Sequence, residues 1–426
     1  MPPVPSIPAA LTGSKIGTFA FLTIRDRWPK ILARVVDQVH RYRYAHIAVY
    51  HEEGERDIKS VLSQLSKLCY LVSTDKPLED LSDYGESFII WNDELKELRM
   101  KKGSEQVTWY RCDWLFAECF LYRQIVGLFL KTTTLKEFDP FATQKQSSFI
   151  GCINTINGLT KHMEKVLAKA DIAIIPYFLQ VCLWGNTYDL SLSCGEQIDP
   201  LPLLVDELTD KILCNQIDEA DRILRSGEVD RVDIVLDNSG FELFADLALA
   251  EILINKFGVK KIFFHGKSMP WFVSDVTGRD FSWMIEMLIG SSDNLLKDFG
   301  AKCSQKLIDG SFVFQAHHFW TLPYSYYLMG EKAPDLHHDL SHSSLIIFKG
   351  DYNYRKLVGD LEWPLDTPFK IALRGFAPAP LLVLRTIKAE TVAGLNSSVI
   401  NELRKKYGSG KGWMTTGEYA VAQFTR

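Results

Sequence analysis

At 426 residues the chain is long for one domain and comfortable for two, and 46% hydrophobic and 12% aromatic residues, with 10 Trp, supply material for substantial cores. The 24% of charged residues is ordinary for a globular protein, and a net charge of −5 argues against a nucleic-acid or anionic-membrane surface. No run approaches the roughly 20 apolar residues that span a bilayer, and Met1-Pro-Pro-Val-Pro-Ser-Ile-Pro8 lacks the features of a signal peptide. The cysteines at 69, 112, 119, 152, 182, 194, 214 and 303 form no CxxC pair. They read as reduced, mostly buried thiols of a cytosolic or nuclear protein, not as zinc-finger or thioredoxin-type groups.

Taken in order, the first half is helical. From Phe19 to Arg43 the apolar residues Phe21, Ile24, Trp28, Ile31, Leu32, Val35 and Val39 recur at helical spacing, and Ile58–Leu71 repeats the pattern. Trp109–Leu130 is a third, very apolar helix carrying Glu118, Tyr122 and Arg123, and Ser147–Leu167 and Ile172–Trp184 follow. No βαβ signal precedes residue 230, so residues 1–203 are expected to form a helical N-terminal domain. Leu204–Ser226 still reads as helical. Beyond it, short apolar runs alternate with helices: Val232–Leu236, the helix Phe241–Phe257, Lys261–His265, the helix Phe281–Ile289, Ser344–Phe348 and Leu381–Leu384. That alternation predicts an α/β domain over residues 204–426, Rossmann-like and three-layered (α/β/α), with a mostly parallel sheet. The glycine-rich Gly408-Ser-Gly-Lys-Gly412 has neither the preceding strand nor the following Ser/Thr of a P-loop, and reads as a surface loop.

In open α/β sheets ligands bind beyond the carboxyl ends of the strands. The four ends expected here carry Asp237-Asn238-Ser239-Gly240-Phe241-Glu242, then Gly266-Lys267 leading to Asp275, then Lys349-Gly350-Asp351-Tyr352-Asn353, then Arg385-Thr386-Ile387-Lys388. Asp237, Asn238 and Asp275 offer hard oxygen ligands suited to Mg²⁺ or Mn²⁺. Lys349 and Lys388 would neutralise a phosphate ester, and Arg385 could clamp one bidentately. Each has a plainer alternative: Asp237 as a cap of the following helix, Arg385 in a buried ion pair, Lys388 on the surface. The aromatic run Trp320, Tyr324, Tyr326 and Tyr327 and the cysteines Cys112 and Cys119 read as core. His317, His318, His337, His338 and His342 read as solvated loop residues.

The stretches Leu236–Glu242, Trp271–Asp275, Phe348–Lys356 and Arg385–Lys388 resemble the damage-control phosphatases, a metal-dependent family, over nearly the whole chain. Gly17–Arg27 and Leu183–Ser193 fit as well. The Arg-Thr-x-Lys element is similar to that of the family's third subfamily, sugar-phosphate phosphatases also described as protein-glutamate O-methyltransferases. The resemblance implies metal ligation by Asp237, Asn238 and Asp275, with Mn²⁺ ahead of Co²⁺, Ni²⁺ and Mg²⁺. It implies substrate contacts from those three residues, Glu242, Lys349, Gly350, Asp351, Tyr352, Asn353, Arg385 and Lys388, and less directly from Arg123, Asn186 and Asp189. The implied substrates are ketose phosphates such as fructose 1-phosphate.

Metal-assisted hydrolysis of a phosphomonoester is therefore the expected reaction, with Asp237 at its centre and Asp351 orienting or deprotonating the attacking water. An aspartyl-phosphate on Asp237 is a second route, although Ser239 stands where a haloacid-dehalogenase-type Asp-x-Asp needs its second acid. Two rivals remain: a carboxyl methyltransferase using S-adenosylmethionine, for which the single-glycine turn at 237–242 is a poor cradle, and a non-catalytic sugar-phosphate binding protein.

Overall fold

The computed structural model describes residues 6–83, 85, 87–167, 174–192 and 208–426, with residues 186–192 as backbone alone. Asn186 and Asp189 thus have side chains outside the described residues. Two compact units form: Met1–Ala142 with Met269–Val273 and Thr321–Tyr324, and Thr143–Ser268 with Ser274–Trp320 and Ser325–Arg426. No helix among the described residues is long and apolar enough to cross a membrane.

The first unit is helical, built on Trp28–Ser73, Phe88–Lys102 and Trp114–Leu130. Its core is aromatic: Trp28 meets Trp109 edge-on with ring centroids 6.1 Å apart, and Trp91 packs on Phe116 and Phe120. The two helices expected before residue 71 run on from one another within Trp28–Ser73 and break at His51, whose φ of 51° and ψ of −131° are not helical. Arg123 is fully buried and pairs with Asp83, its Nη1 donating to Oδ2 at 2.9 Å. That tertiary ion pair is the plainer reading of this arginine.

The second unit holds a seven-stranded sheet: β1 (Ile212–Asn215), β2 (Arg231–Val235), β3 (Lys261–Gly266), β4 (Phe312–Ala316), β5 (Leu345–Lys349), β6 (Leu381–Thr386) and β7 (Ala420–Thr425). Its order is β1-β7-β6-β5-β2-β3-β4, and every neighbouring pair is parallel except β6–β7. All residues of β5 and β6 are buried, as a parallel sheet covered on both faces requires. The helix Phe241–Phe257 is buried without interruption from Phe241 to Leu253, which makes it a core helix.

The helices Ile153–Leu167 and Ile174–Leu192 share this core: Ile156, Leu159, Phe178 and Leu179 belong to one apolar cluster with Leu243, Leu247 and Ile252. Amphipathic spacing marks a helix but does not say which core it covers, so a composition boundary near residue 203 and a packing boundary at Ala142 differ. Within 204–226, expected to be helical throughout, the chain instead forms β1 and the short helix Ile217–Leu224. A four-residue edge strand with a register shift at Ile212/Cys214 carries too little alternation to be read from sequence. Gly408–Gly412 is an exposed connection after the helix Ser397–Tyr407, as expected.

Candidate active site at the carboxyl ends of the central strands

The chain runs β2, β3, β4 outward along the sheet, then returns past β2 to lay down β5 on its other side. Successive connections thus leave in opposite directions beyond the carboxyl ends of β2 and β5, the switch point at which open α/β sheets bind ligands in a crevice. Asp237-Asn238 follows β2, and Lys349-Gly350 ends β5 and begins the helix Gly350–Val358. Asp275 arrives through a small backbone lattice. Val276 N donates to Asp237 O at 2.9 Å, Ser239 N donates to Ser274 O at 2.8 Å, and Asn238 pairs with Asp275 as an antiparallel bridge. Phe272 and Val273, just before it, hold φ of 43° and 70°; such conformations cost a β-branched residue energy and recur at functional sites.

Asp237, Asn238 and Asp275 thus lie in one cluster. Asn238 Nδ2 donates to Asp237 Oδ2 at 2.8 Å and to Glu242 Oε2 at 2.9 Å, while Ser274 Oγ donates to Asn238 Oδ1 at 2.5 Å. Rotating that amide by half a turn exchanges its oxygen and nitrogen, which is an assignment at any ordinary precision. Gly350 makes the approach possible. A Cβ there would stand 1.8 Å from Asp237 Oδ2, and its φ is 83°. Asp237 does not cap the following helix, whose N-cap is Gly240.

Charge is out of balance here. Asp237, Glu242, Asp246 and Asp275 are all buried, and the ammonium groups set among them are Lys267 and Lys349, also buried. Lys349 Nζ lies 3.0 Å from Glu242 Oε1 and 2.9 Å from Asp246 Oδ1; Lys267 Nζ lies 3.0 Å from Asp275 Oδ2. Lys145 is close as well, but its partner is Asp280 at 2.6 Å. Burial, reinforced by Glu242 and Asp275, pushes the Asp237 carboxyl well above the usual carboxylate range. Burial likewise raises Asp275 and Asp246 to about 6 each, against the pull of their lysines. Burial works against the Lys349 ammonium too, yet Asp246 and Glu242 together raise its pKa. Carboxylates that crowd together out of water need more positive charge than two lysines bring.

A divalent ion would supply it, and the donors fit one: two carboxylates and an amide, all hard oxygen. Among the described residues no three His, Cys, Asp or Glu side chains form a ready metal cluster, so an ion held here would take the Asn238 amide as well. The five histidines set aside above contribute none. His317 bonds Asp335, and His337 and His338 sit on the short helix Pro334–Leu340.

The remaining expected residues divide by role. Asn353 is committed to the backbone: its Nδ2 donates to Lys349 O at 2.7 Å and Leu236 O at 3.2 Å, tying β5 to β2. Tyr352 donates its hydroxyl to Trp320 O at 3.0 Å. Arg385 is buried, with Nε donating to Asp351 Oδ1 at 2.8 Å, Nη1 to Thr391 O at 2.6 Å and Nη2 to Ala389 O at 3.1 Å. Its donors hold the chain after β6, the buried-pair alternative, and leave no fork for a phosphate. Asp351 Oδ1 also accepts from Lys388 N at 3.0 Å, so the two strand ends are clasped. Lys388 is half-buried, its stem near Gly417, and the stretch after it is irregular, not the helix expected from Ala389 and Glu390. Lys267 and Asp246 were missed. Lys267 reads as the end of a strand, and Asp246 as one polar residue in an apolar helix.

Fold and site together define a doubly wound α/β protein with an acid-rich, cation-seeking centre at its switch point. A model of the damage-control phosphatase ARMT1-like domain matches residues 23–403. The damage-control phosphatases ARMT1 of Rattus norvegicus and Homo sapiens are 39% and 37% identical to the chain, with 98% of each sequence covered in both comparisons. That of Danio rerio is 37% identical over 98% of the chain and 97% of its own length. A crystal structure of a DUF89 family protein from Pyrococcus horikoshii overlaps at a TM-score of 0.43 with 14% identity, covering 89% of this chain and 93% of its own. The chain belongs to the ARMT1-like damage-control phosphatases.

Proposed function

We propose that the chain is a metal-dependent phosphomonoesterase for small sugar phosphates, ketose phosphates such as fructose 1-phosphate foremost. The observation that carries this reading is the deficit of positive charge among Asp237, Glu242, Asp246 and Asp275 at the switch point. Asp237, Asn238 and Asp275 would hold a divalent ion, Mn²⁺ ahead of Co²⁺, Ni²⁺ and Mg²⁺. When bound, the ion supplies a Lewis acid for a phosphoryl oxygen and lowers the pKa of a coordinated water. The chain's own groups do the rest. The first turn of the helix Gly350–Val358 leaves backbone N–H groups without intrahelical acceptors, aimed where a phosphate would enter. Lys388 would add a positive charge. Asp351, its Oδ1 fixed by Arg385, has Oδ2 to orient or deprotonate a water.

A panel of phosphate esters tests this, with and without Mn²⁺ and with S-adenosylmethionine in parallel. Ketose phosphates should release phosphate only with metal, faster than aryl phosphates. Methyl transfer without phosphate release would replace this reading with the carboxyl methyltransferase. Saturable binding without turnover would replace it with a sensor.

A further inference from the structure

Lys267 follows β3, between β2 and the edge strand β4, and turns inward. Its side chain is 1% exposed, Nζ lies 3.0 Å from Asp275 Oδ2 and donates to Leu236 O at 2.9 Å, and it stands 5.5 Å from the centre of the Tyr352 ring. Every one of these partners borders the switch-point crevice: Asp275 is an expected metal ligand, Leu236 precedes another, and Tyr352 lies in the first turn after β5. An ammonium so enclosed is held against the Asp275 carboxylate and away from water.

We propose that Lys267 is a built-in counter-cation that competes with the divalent ion for Asp275 and thereby sets the metal affinity of the site. The inference rests on the metal assignment proposed above. A carboxylate has two oxygens, and Lys267 occupies the surroundings of one. A divalent ion on the same carboxylate comes within a few ångströms of the ammonium, where like charges repel through little intervening water. The arrangement therefore trades affinity for a site that is stable without metal. Lys267 is a positioning residue in this scheme: it acts through Asp275 and touches no reacting atom.

Removing the charge separates the two effects. Lys267→Met keeps the length of the stem and deletes the ammonium, leaving Asp275 without its ion-pair partner. In isothermal titrations of the full chain with Mn²⁺ at about pH 8, without substrate, this variant should bind roughly tenfold more tightly than wild type. Its melting temperature in chelator should be lower, and its Mn²⁺-induced rise in melting temperature larger. Lys267→Arg, which retains the charge, should titrate like wild type. If Lys267→Met does not fold, Lys267→Gln gives the same comparison while keeping a donor for Leu236 O. An uncharged variant that binds Mn²⁺ as weakly as wild type, or more weakly, would overturn the competition. Asp237→Ala, titrated alongside, isolates the metal assignment itself: wild type and Asp237→Ala taking up Mn²⁺ alike would overturn both.

Discussion

Asp246 shows how a buried acid and its partner divide their effects. It lies on the core helix Phe241–Phe257, fully surrounded, 2.9 Å from the Lys349 ammonium. Burial raises its pKa to about 6 even with Lys349 and Cys182 drawing it down, while the unfolded chain leaves it near 4. The folded state therefore holds a proton that the unfolded state has released, and stability from this group falls as pH climbs from about 4 to about 6. Asp246→Asn removes that loss. Compared by urea denaturation at about pH 4 and pH 6.5, the variant should gain on wild type as pH rises, by up to about 3 kcal/mol. A variant that loses ground over that range would contradict the assignment. At this scale, Asp237 and Asn238 were legible as the residues that follow β2, and Asp275 as the end of the Trp271–Asp275 motif. Lys267 and Asp246 were not, because their roles depend on what they meet across the sheet, which no spacing encodes. Gly350 was legible as part of a motif, but its reason, the 1.8 Å approach of Asp237 Oδ2 to the place of a Cβ, exists only in three dimensions.

Strands and their ends carry the next level. The four strands read from sequence, β2, β3, β5 and β6, are contiguous in the sheet, and their near-continuous apolar runs are what burial on both faces demands. β1, β4 and β7 escaped because β1 and β4 are the sheet edges, with half-buried positions, and β7, antiparallel to β6, follows a glycine-rich connection. The clasp after β6 gives Lys388 its place. Arg385 and Asp351 fix the backbone at Lys388 N, so the side chain departs from a defined point beside the crevice. If Lys388 meets the phosphate, Lys388→Ala should lower kcat/KM by roughly 30- to 1000-fold, since one charge-assisted contact to the transition state is worth about 2–4 kcal/mol. Lys388→Arg should recover part, because a planar fork replaces a point charge poorly in a tight site. Steady-state kinetics in which the alanine variant changes less than about threefold would put Lys388 outside the site.

Across the molecule, the reversal of strand order between β4 and β5 decides where function can lie. Around that switch point the chain gathers acids from the end of β2, from the segment after β3 and from the helix Phe241–Phe257, with fewer lysines set among them than acids. The helical half was legible as helical; which of its helices belong to the sheet's core was not, because that is settled by partners far away in sequence. Family membership places the chain among the damage-control phosphatases, and the charge deficit is what supports the divalent ion proposed above. Both meet in phosphate release from fructose 1-phosphate by the full chain, first in chelator and then with Mn²⁺ restored, for wild type and Asp237→Ala. Wild type should release phosphate only with Mn²⁺. Asp237→Ala should release none in either condition while keeping its circular dichroism and melting temperature, since it deletes a charge that burial and its neighbours already disfavour. Undiminished release in chelator, or by Asp237→Ala, would place the chemistry elsewhere.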